Sequence, residues 1–189
     1  VTTSAGVRGA AVLPNAGTVQ IVGSNCTSYQ NKLYIPNADE DLFAYDQAGA
    51  LTRIPRATNG IDAGGHIMGT EKMEGFLYFV WHNTAGTAVF IGRYDGATWT
   101  PKYKSLTAQA TWPAWYFDYL ANTYQTEYPP GTCKGIRQYR GSLVVSGIQA
   151  GPGIAALYFS PRNDITGEWT RLLMSITYPN SDISQMTVF

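Results

Sequence analysis

Residues 70–100 read TEKMEGFLYFVWHNTAGTAVFIGRYDGATWT, and this stretch decides the fold. Glu74-Gly75 and Asp95-Gly96 are pairs that favour tight turns, because glycine readily adopts positive φ. Two runs of apolar, aromatic and β-branched residues, 76–81 and 87–94, lie between these turns and flank a loop at 83–86. Such runs are typical of half-buried strands. With one strand before Glu74 and another through Trp99, the stretch predicts a meander of four antiparallel strands.

Two other stretches have the same pattern. CTSYQNKLYI at 26–35 and IRQYRGSLVV at 136–145 align without gaps to TEKMEGFLYF at 70–79. Each has a turn pair at its fifth and sixth places, a bulky residue at its fourth place (Tyr29, Met73, Tyr139) and leucine at its eighth (Leu33, Leu77, Leu143). The downstream segments FAYDQAGALTR, IGRYDGATWT and LYFSPRNDITGEWTR also correspond. The spacing of the first two repeats is that of a propeller blade, and the next spacing is a blade plus about 20 inserted residues.

We therefore expect an all-β protein, a β-propeller-like array of four-stranded antiparallel meanders in a single domain over residues 1–189. The repeat units are 26–54, 70–101 and 136–172. A hairpin at 9–23 and a last strand at 183–189 would complete one more blade, giving about four blade equivalents. Four is the lower limit for closure, so part of a larger ring or an open array is the alternative.

An insertion rich in aromatic residues is predicted at 104–133. Pro113 suits the first turn of a helix, so we expect a short helix at 114–122 that ends before Pro129 and Pro130. The aromatic side chains either cap the core between two blades or form a contact surface. As an interface hypothesis we single out six residues: Trp112, Trp115, Tyr116, Tyr119, Tyr124 and Tyr128.

Composition excludes several classes of partner. Hydrophobic residues make up 44% of the chain and charged residues only 14%, with 13 basic residues balancing 13 acidic ones. No basic block suggests specific nucleic-acid binding, and no apolar run approaches the roughly 18 residues of a membrane span. Because the sequence starts at Val1, we expect a processed start or a longer polypeptide. Cys26 and Cys133 are expected to be free thiols, with one disulfide as the alternative.

No residue pattern indicates catalysis, a cofactor or a metal. His66 and His82 have no cysteine or carboxylate at ligand spacing, and a zinc site needs three or four ligands. Residues 39–41 carry three carboxylates without the ligand number or glycine of a calcium loop. Ser160 lacks the glycine-flanked elbow of a hydrolase nucleophile. We therefore expect a protein that is not an enzyme, with no cofactor and no metal.

Two turns resemble the Asp-box turn of sialidases and other propellers. They are YDGATW at 94–99 and NDITGEW at 163–169; the first is one residue shorter than the usual spacing and the second is one longer. In that family the turn is structural and lies away from the catalytic face. The resemblance therefore implies stable hairpins and implies no hydrolysis.

A longer resemblance covers about a third of the chain. GIRQYRGSLVVSG at 135–147, followed by ALYFSPRNDITGEWTRL at 156–172, resembles propeller repeats in tail proteins of short-tailed bacteriophages, particularly nozzle components. The resemblance implies a structural role in a virion assembled in the host cytoplasm. The implied partners are copies of the chain itself in a ring and other virion proteins.

The alternative from another class is an extracellular carbohydrate-binding propeller. Its aromatic side chains, for example Trp81, Trp99, Trp112 or Trp115, would stack on a surface glycan. A glycosidase, which needs two carboxylates about 5–10 Å apart across a cleft, is the least favoured reading.

Overall fold

A computed structural model describes residues 26–37, 40–109, 117–118, 123–124, 130–149 and 155–173. Its main features are three four-stranded antiparallel sheets in chain order. Sheet 1 comprises β1 (Thr27–Tyr29), β2 (Lys32–Pro36), β3 (Leu42–Asp46) and β4 (Leu51–Ile54). Sheet 2 comprises β5 (His66–Met73), β6 (Phe76–His82), β7 (Val89–Tyr94) and β8 (Trp99–Ser105). The all-β fold and the four-stranded meanders are confirmed.

Sheet 3 and two smaller elements complete the described structure. A short ladder precedes sheet 3 and pairs β9 (Phe117–Asp118) with β10 (Thr123–Tyr124). Sheet 3 comprises β11 (Pro130–Tyr139), β12 (Ser142–Gln149), β13 (Ala155–Phe159) and β14 (Thr170–Leu173). A one-turn helix, α1 (Arg56–Asn59), follows sheet 1 and ends at Gly60, whose φ is 78°. Sheets 2 and 3 extend beyond the predicted units, because β5 and β11 begin earlier than the repeat pattern indicated.

The first hairpin turn of every sheet is the predicted residue pair. Gln30-Asn31, Glu74-Gly75 and Arg140-Gly141 all have positive φ at both positions, as two-residue hairpin turns require. The later turn of sheet 2 differs from the prediction, because it spans residues 95–98 rather than Asp95-Gly96 alone. The cause is the Asp95 carboxylate, which accepts hydrogen bonds from the backbone N–H of Ala97 and Thr98.

Sheet 2 is buried on both faces. From β6, Phe79 and Trp81 pack with Leu42 of sheet 1, whereas Tyr78 and Val80 join the cluster that contains sheet 3 residues. Alternate side chains of a strand point to opposite faces, so β6 contributes to two cores at once. This explains its continuous apolar run, since a strand covered on both sides does not alternate with polar residues.

The equivalent leucines of the three repeats show how the sheets stack. Leu77 packs against sheet 1 and Leu143 against sheet 2, and both are fully buried. Leu33 is the counterpart in sheet 1 and is 38% exposed. Its neighbour Tyr34 packs towards sheet 2, so Leu33 lies on the opposite side, which we call the front face of sheet 1.

The bulky residues at the fourth repeat position are buried in sheets 1 and 2 and exposed in sheet 3. Tyr29 packs between sheets 1 and 2, and Met73 packs between sheets 2 and 3, with exposures of 4% and 5%. Tyr139 holds the same place on sheet 3, directly opposite Ser142, and is 40% exposed. It lies on the side turned away from sheet 2, which we call the rear face of sheet 3. Leu33 and Tyr139 are large hydrophobic side chains that the structure leaves exposed.

The predicted helix at 114–122 is wrong at its centre. Phe117–Asp118 is a strand paired antiparallel with Thr123–Tyr124. An aromatic residue suits this extended ladder, and its pairing with a nearby strand overrides the helix signal from Pro113. The rest of that predicted helix lies outside the described residues, as do the hairpin at 9–23 and the strand at 183–189.

Candidate functional site

The first strands of the three sheets form a polar junction. β5 contacts both β1 and β11. The hydroxyl of Thr27 donates a hydrogen bond to the carbonyl of Thr70 at 3.0 Å, and the Thr70 hydroxyl donates to the carbonyl of Tyr34 at 3.3 Å. These two side-chain hydrogen bonds join sheet 1 to sheet 2.

An ion pair joins sheets 2 and 3 at the same junction. Glu71 Oε2 lies 3.7 Å from Arg137 Nη1, and both side chains are largely buried. Burial raises the pKa of Glu71, while Arg137 and the backbone N–H groups of Lys72 and Gln138 act in the opposite direction. Removing one partner of such a pair leaves a buried charge without compensation, so the pair favours one arrangement of the two sheets.

The two cysteines are free thiols, as expected. Cys26 lies near the junction, where burial raises the pKa of its thiol and the nearby Arg137 lowers it to a smaller extent. Cys133 is fully buried, and burial moves its thiol pKa far above the ordinary value. Because the thiolate is the reactive form, neither cysteine is activated as a nucleophile.

An open groove of about 430 Å³ lies beside the junction at the turns of sheets 1 and 2. Its lining is polar and apolar in similar measure and consists of Ser28, Tyr29, Gln30, Asn31, Lys72 and Gly75. The Tyr29 hydroxyl donates to the Gly75 carbonyl at 3.1 Å and closes the floor of the groove.

The turns that resemble Asp boxes are built around their aspartates. Asp164 Oδ1 accepts hydrogen bonds from the backbone N–H of Thr166 and Gly167 at 3.0 Å and from the Thr166 hydroxyl at 2.8 Å. The Trp169 indole N–H donates to the carbonyl of Ile165, so the buried tryptophan closes the turn. Sheet 1 has a related turn that the resemblance missed, in which Asp46 accepts from the N–H of Ala50. Asp46, Asp95 and Asp164 therefore all accept hydrogen bonds from backbone N–H groups of their own turns.

Of the six predicted interface residues, the described structure reaches one. The backbone of Tyr124 belongs to β10, which pairs with β9. The other five, Trp112, Trp115, Tyr116, Tyr119 and Tyr128, lie outside the described residues. The interface hypothesis stays a prediction.

Two tryptophans considered as sugar platforms have protein neighbours. Trp81 is fully buried, stacks on Phe90 at 4.5 Å and donates its indole N–H to the Pro101 carbonyl. Trp99 is half-buried and stacks on Tyr94 with ring centroids 4.1 Å apart. Trp81 therefore offers no free face to a sugar. Trp112 and Trp115 lie outside the described residues.

The two histidines, which the sequence placed apart, are brought together. His66 and His82 lie directly opposite each other on β5 and β6, with ring centroids 5.1 Å apart. The spacing rule for zinc missed them, because it counts along the chain and a hairpin pairs residues across it. Nowhere in the described ranges do three or more His, Cys, Asp or Glu side chains gather as a metal cluster would.

Glu40, Asp41 and Ser160 have structural contacts, and Asp39 lies outside the described residues. Asp41 pairs with Arg53, and Glu40 pairs with Arg56 at 3.2 Å. Ser160 is buried; its hydroxyl accepts from the N–H of Leu143 and donates to the Pro161 carbonyl. Within the ranges described, no helix is long and apolar enough to cross a membrane.

Comparison of the sequence with protein families and with curated proteins gave no match.

Proposed function

We propose that this chain is a structural protein of a virion, of the tail or nozzle type, that assembles with copies of itself into a ring and works through protein–protein contacts without catalysis. The assignment to a virion rests on the resemblance of residues 135–147 and 156–172 to phage tail repeats. The assembly is supported by the exposure of Leu33 and Tyr139 at the two ends of the stack of sheets. This exposure is the observation that carries the proposal.

The interfaces between neighbouring sheets within the chain support this assembly. At each of them the fourth-position residue of one sheet and the leucine of the next lie between the same two sheets, as Met73 and Leu143 do between sheets 2 and 3. Tyr139 on the rear face of sheet 3 is a fourth-position residue, and Leu33 on the front face of sheet 1 is the equivalent leucine. Together they are the same pair of residue positions that meets at each internal interface. The exposed Tyr139 of one copy therefore complements the exposed Leu33 of another. Contacts between unlike faces form a ring when the rotation closes.

We further propose that the three sheets are blades of a β-propeller-like array. The first strand of sheet 2 lies between those of sheets 1 and 3. Cys26 at the start of sheet 1 is nevertheless close enough to Arg137 of sheet 3 for the guanidinium to lower its pKa. An arrangement of the three sheets about a common axis lined by their first strands would bring these two groups together. Radial repetition of this kind is the propeller arrangement.

The interface hypothesis for the insertion belongs to the same proposal. Trp115, Tyr119 and the other aromatic residues of that segment contact neighbouring subunits, while the repeated sheets supply rigidity. Aromatic residues are enriched at the centres of protein interfaces, where they contribute much of the binding energy.

The test compares assembly of matched variants by sedimentation velocity. Leu33→Asp with Tyr139→Asp places a charge on each end face, and Gln47→Asp with Ala57→Asp places the same charges at exposed positions away from the end faces as the control. We expect the unaltered protein and the control to form a closed oligomer and the end-face variant to sediment as a folded monomer. Trp115→Ser with Tyr119→Ser should also reduce assembly.

Two results would contradict the proposal. The first is a protein that is monomeric at every concentration and absent from assembled particles in electron micrographs. The second is an end-face variant that assembles like the control. If instead the end-face variant loses its circular dichroism signal while the unaltered protein is a monomer, the end faces are covered within one chain.

A further inference from the structure

The histidine pair occupies one end of the central hairpin. His66 is the first residue of β5 and His82 the last of β6, and the two are register partners. Residues directly opposite in an antiparallel pair project from the same face with Cβ atoms about 4.5–5.5 Å apart. Both side chains are half-buried, so an ion from solvent can reach them.

One hydrogen bond fixes the state of the His82 ring. Its Nδ1 lies 3.0 Å from the carbonyl oxygen of Asn83. A carbonyl only accepts, so Nδ1 carries the hydrogen and Nε2 of the neutral ring keeps its lone pair. Histidines that bind metals commonly donate their other nitrogen to a carbonyl in this way, which orients the ring.

The separation of the rings fits a shared ion. Metal–nitrogen bonds of about 2.0–2.1 Å place each ring centre about 3.2 Å from the metal. When the angle between the two metal–nitrogen bonds lies between a right angle and the tetrahedral angle, the ring centres are roughly 4.5–5.2 Å apart. The observed 5.1 Å lies in this range.

We propose that His66 and His82 form an open, two-ligand site for a divalent transition metal ion that prefers imidazole, such as Ni²⁺, Cu²⁺ or Zn²⁺. Because no third His, Cys, Asp or Glu joins the pair in the described part of the chain, water or a donor from a neighbouring molecule fills the other positions. Lys134 is close enough to lower the pKa of His82, and its charge opposes a cation. The site is therefore weaker than a closed one. Hard ions such as Mg²⁺ and Ca²⁺ prefer oxygen ligands and are excluded.

The test measures thermal unfolding of the full chain with added NiCl₂ and, separately, with MgCl₂. An ion that binds the folded protein raises the unfolding temperature in a saturable way. We expect Ni²⁺ to raise it and Mg²⁺ to leave it unchanged. His66→Ala and His82→Ala should each abolish the Ni²⁺ shift. Cys26→Ser should retain it, because this half-buried free thiol is a soft ligand that the proposed site does not use.

Isothermal titration calorimetry gives a second readout that does not depend on unfolding. One Ni²⁺ bound per chain, lost in both histidine variants, supports the site. No saturable binding at a large excess of Ni²⁺, or equal binding by either single variant, overturns it. Should His82→Ala fail to fold, His66→Gln replaces it, because His66 lies at the strand end and the glutamine is close in size.

Discussion

Asp95 and Asp164 show how one side chain organises a turn. Each carboxylate is exposed yet accepts hydrogen bonds from backbone N–H groups two and three residues later. Such bonds give the turn the contacts that a continuous ladder would otherwise supply. They also favour the ionised form, so the pKa of both carboxyls lies below the ordinary value of 3.8.

The pKa shift predicts how acid affects stability. The Thr166 hydroxyl and the Gly167 N–H lower the pKa of Asp164, so its carboxylate stabilises the fold above the unfolded value of 3.8. This contribution is lost as the pH falls through the folded-state pKa. We expect Asp164→Asn, which keeps the oxygen acceptor, to lower the unfolding temperature at about pH 7 and to have a diminishing effect below about pH 4.

Calorimetry at a series of pH values across this range measures the difference in unfolding temperature between Asp164→Asn and the unaltered protein. Thr166→Val is the matched control: it removes the hydroxyl donor but keeps both N–H donors, so part of the pH dependence should remain. A difference that is constant from neutral to acidic pH would refute the assignment.

The hairpins are the units that the sequence specifies most directly. Glu74-Gly75 joins β5 to β6 with φ of 50° and 81°. A non-glycine residue at such an angle is strained by contact of its Cβ with the backbone. A Cβ built on Gly75 would meet no other group within 4 Å, so only the backbone angle matters at this position.

We expect substitutions at the two residues of this turn to have opposite effects on the free energy of unfolding. Gly75→Ala should lower the free energy of unfolding by about 1–2 kcal/mol, the penalty of a left-handed alanine. Glu74→Asn should leave it unchanged or raise it, because Asn-Gly is a favoured pair for this turn type. Urea unfolding of the two variants measures both effects. Equal destabilisation by the two changes would show that side-chain contacts rather than backbone angles dominate.

The stacking of the three sheets decides how the whole chain holds together. Sheet 2 shares an apolar core with each neighbour, and the polar junction fastens the first strands. A given repeat position is therefore buried between two sheets in some repeats and lies on an end face in another. Position in the stack, more than residue type, determines what a side chain contributes.

The three equivalent leucines test this directly. Leu77→Ala and Leu143→Ala should each destabilise the protein by about 2–5 kcal/mol, because both remove a fully buried side chain. Leu33→Ala should destabilise the separated subunit by less than about 1 kcal/mol, because Leu33 is partly exposed. Unfolding measured at low protein concentration compares the three. A penalty for Leu33→Ala as large as for the others would mean that the front face is covered within one chain.

Much of this architecture could be predicted from the sequence. Turn pairs such as Glu74-Gly75 and the leucine eight places into each repeat are local signals, and all three meanders are found where they were expected. The strand ends were less predictable, since β5 begins at His66 and β11 at Pro130 through pairing with distant residues. The helix at 114–122 was wrong at Phe117–Asp118 because a pairing partner overrides local propensity.

The candidate sites were harder to predict. The ion pair between Glu71 and Arg137 depends on two sheets packing together, and nothing in either repeat alone indicates it. Extending the register of the hairpin from Glu74-Gly75 would place Ile67, not His66, opposite His82. A bulge between Ile67 and Gly69 shifts that register by one residue, so simple counting fails.

The double burial of β6 limits how this protein can diverge. Tyr78 and Phe79 must each suit a different neighbouring sheet, so a change of volume in this strand disturbs two packed layers. The exposed positions Leu33 and Tyr139 on the front and rear faces do not pack between two sheets. Related chains would therefore keep the middle strand nearly constant while exchanging residues at the outer faces, and new partners would arise there without loss of the fold.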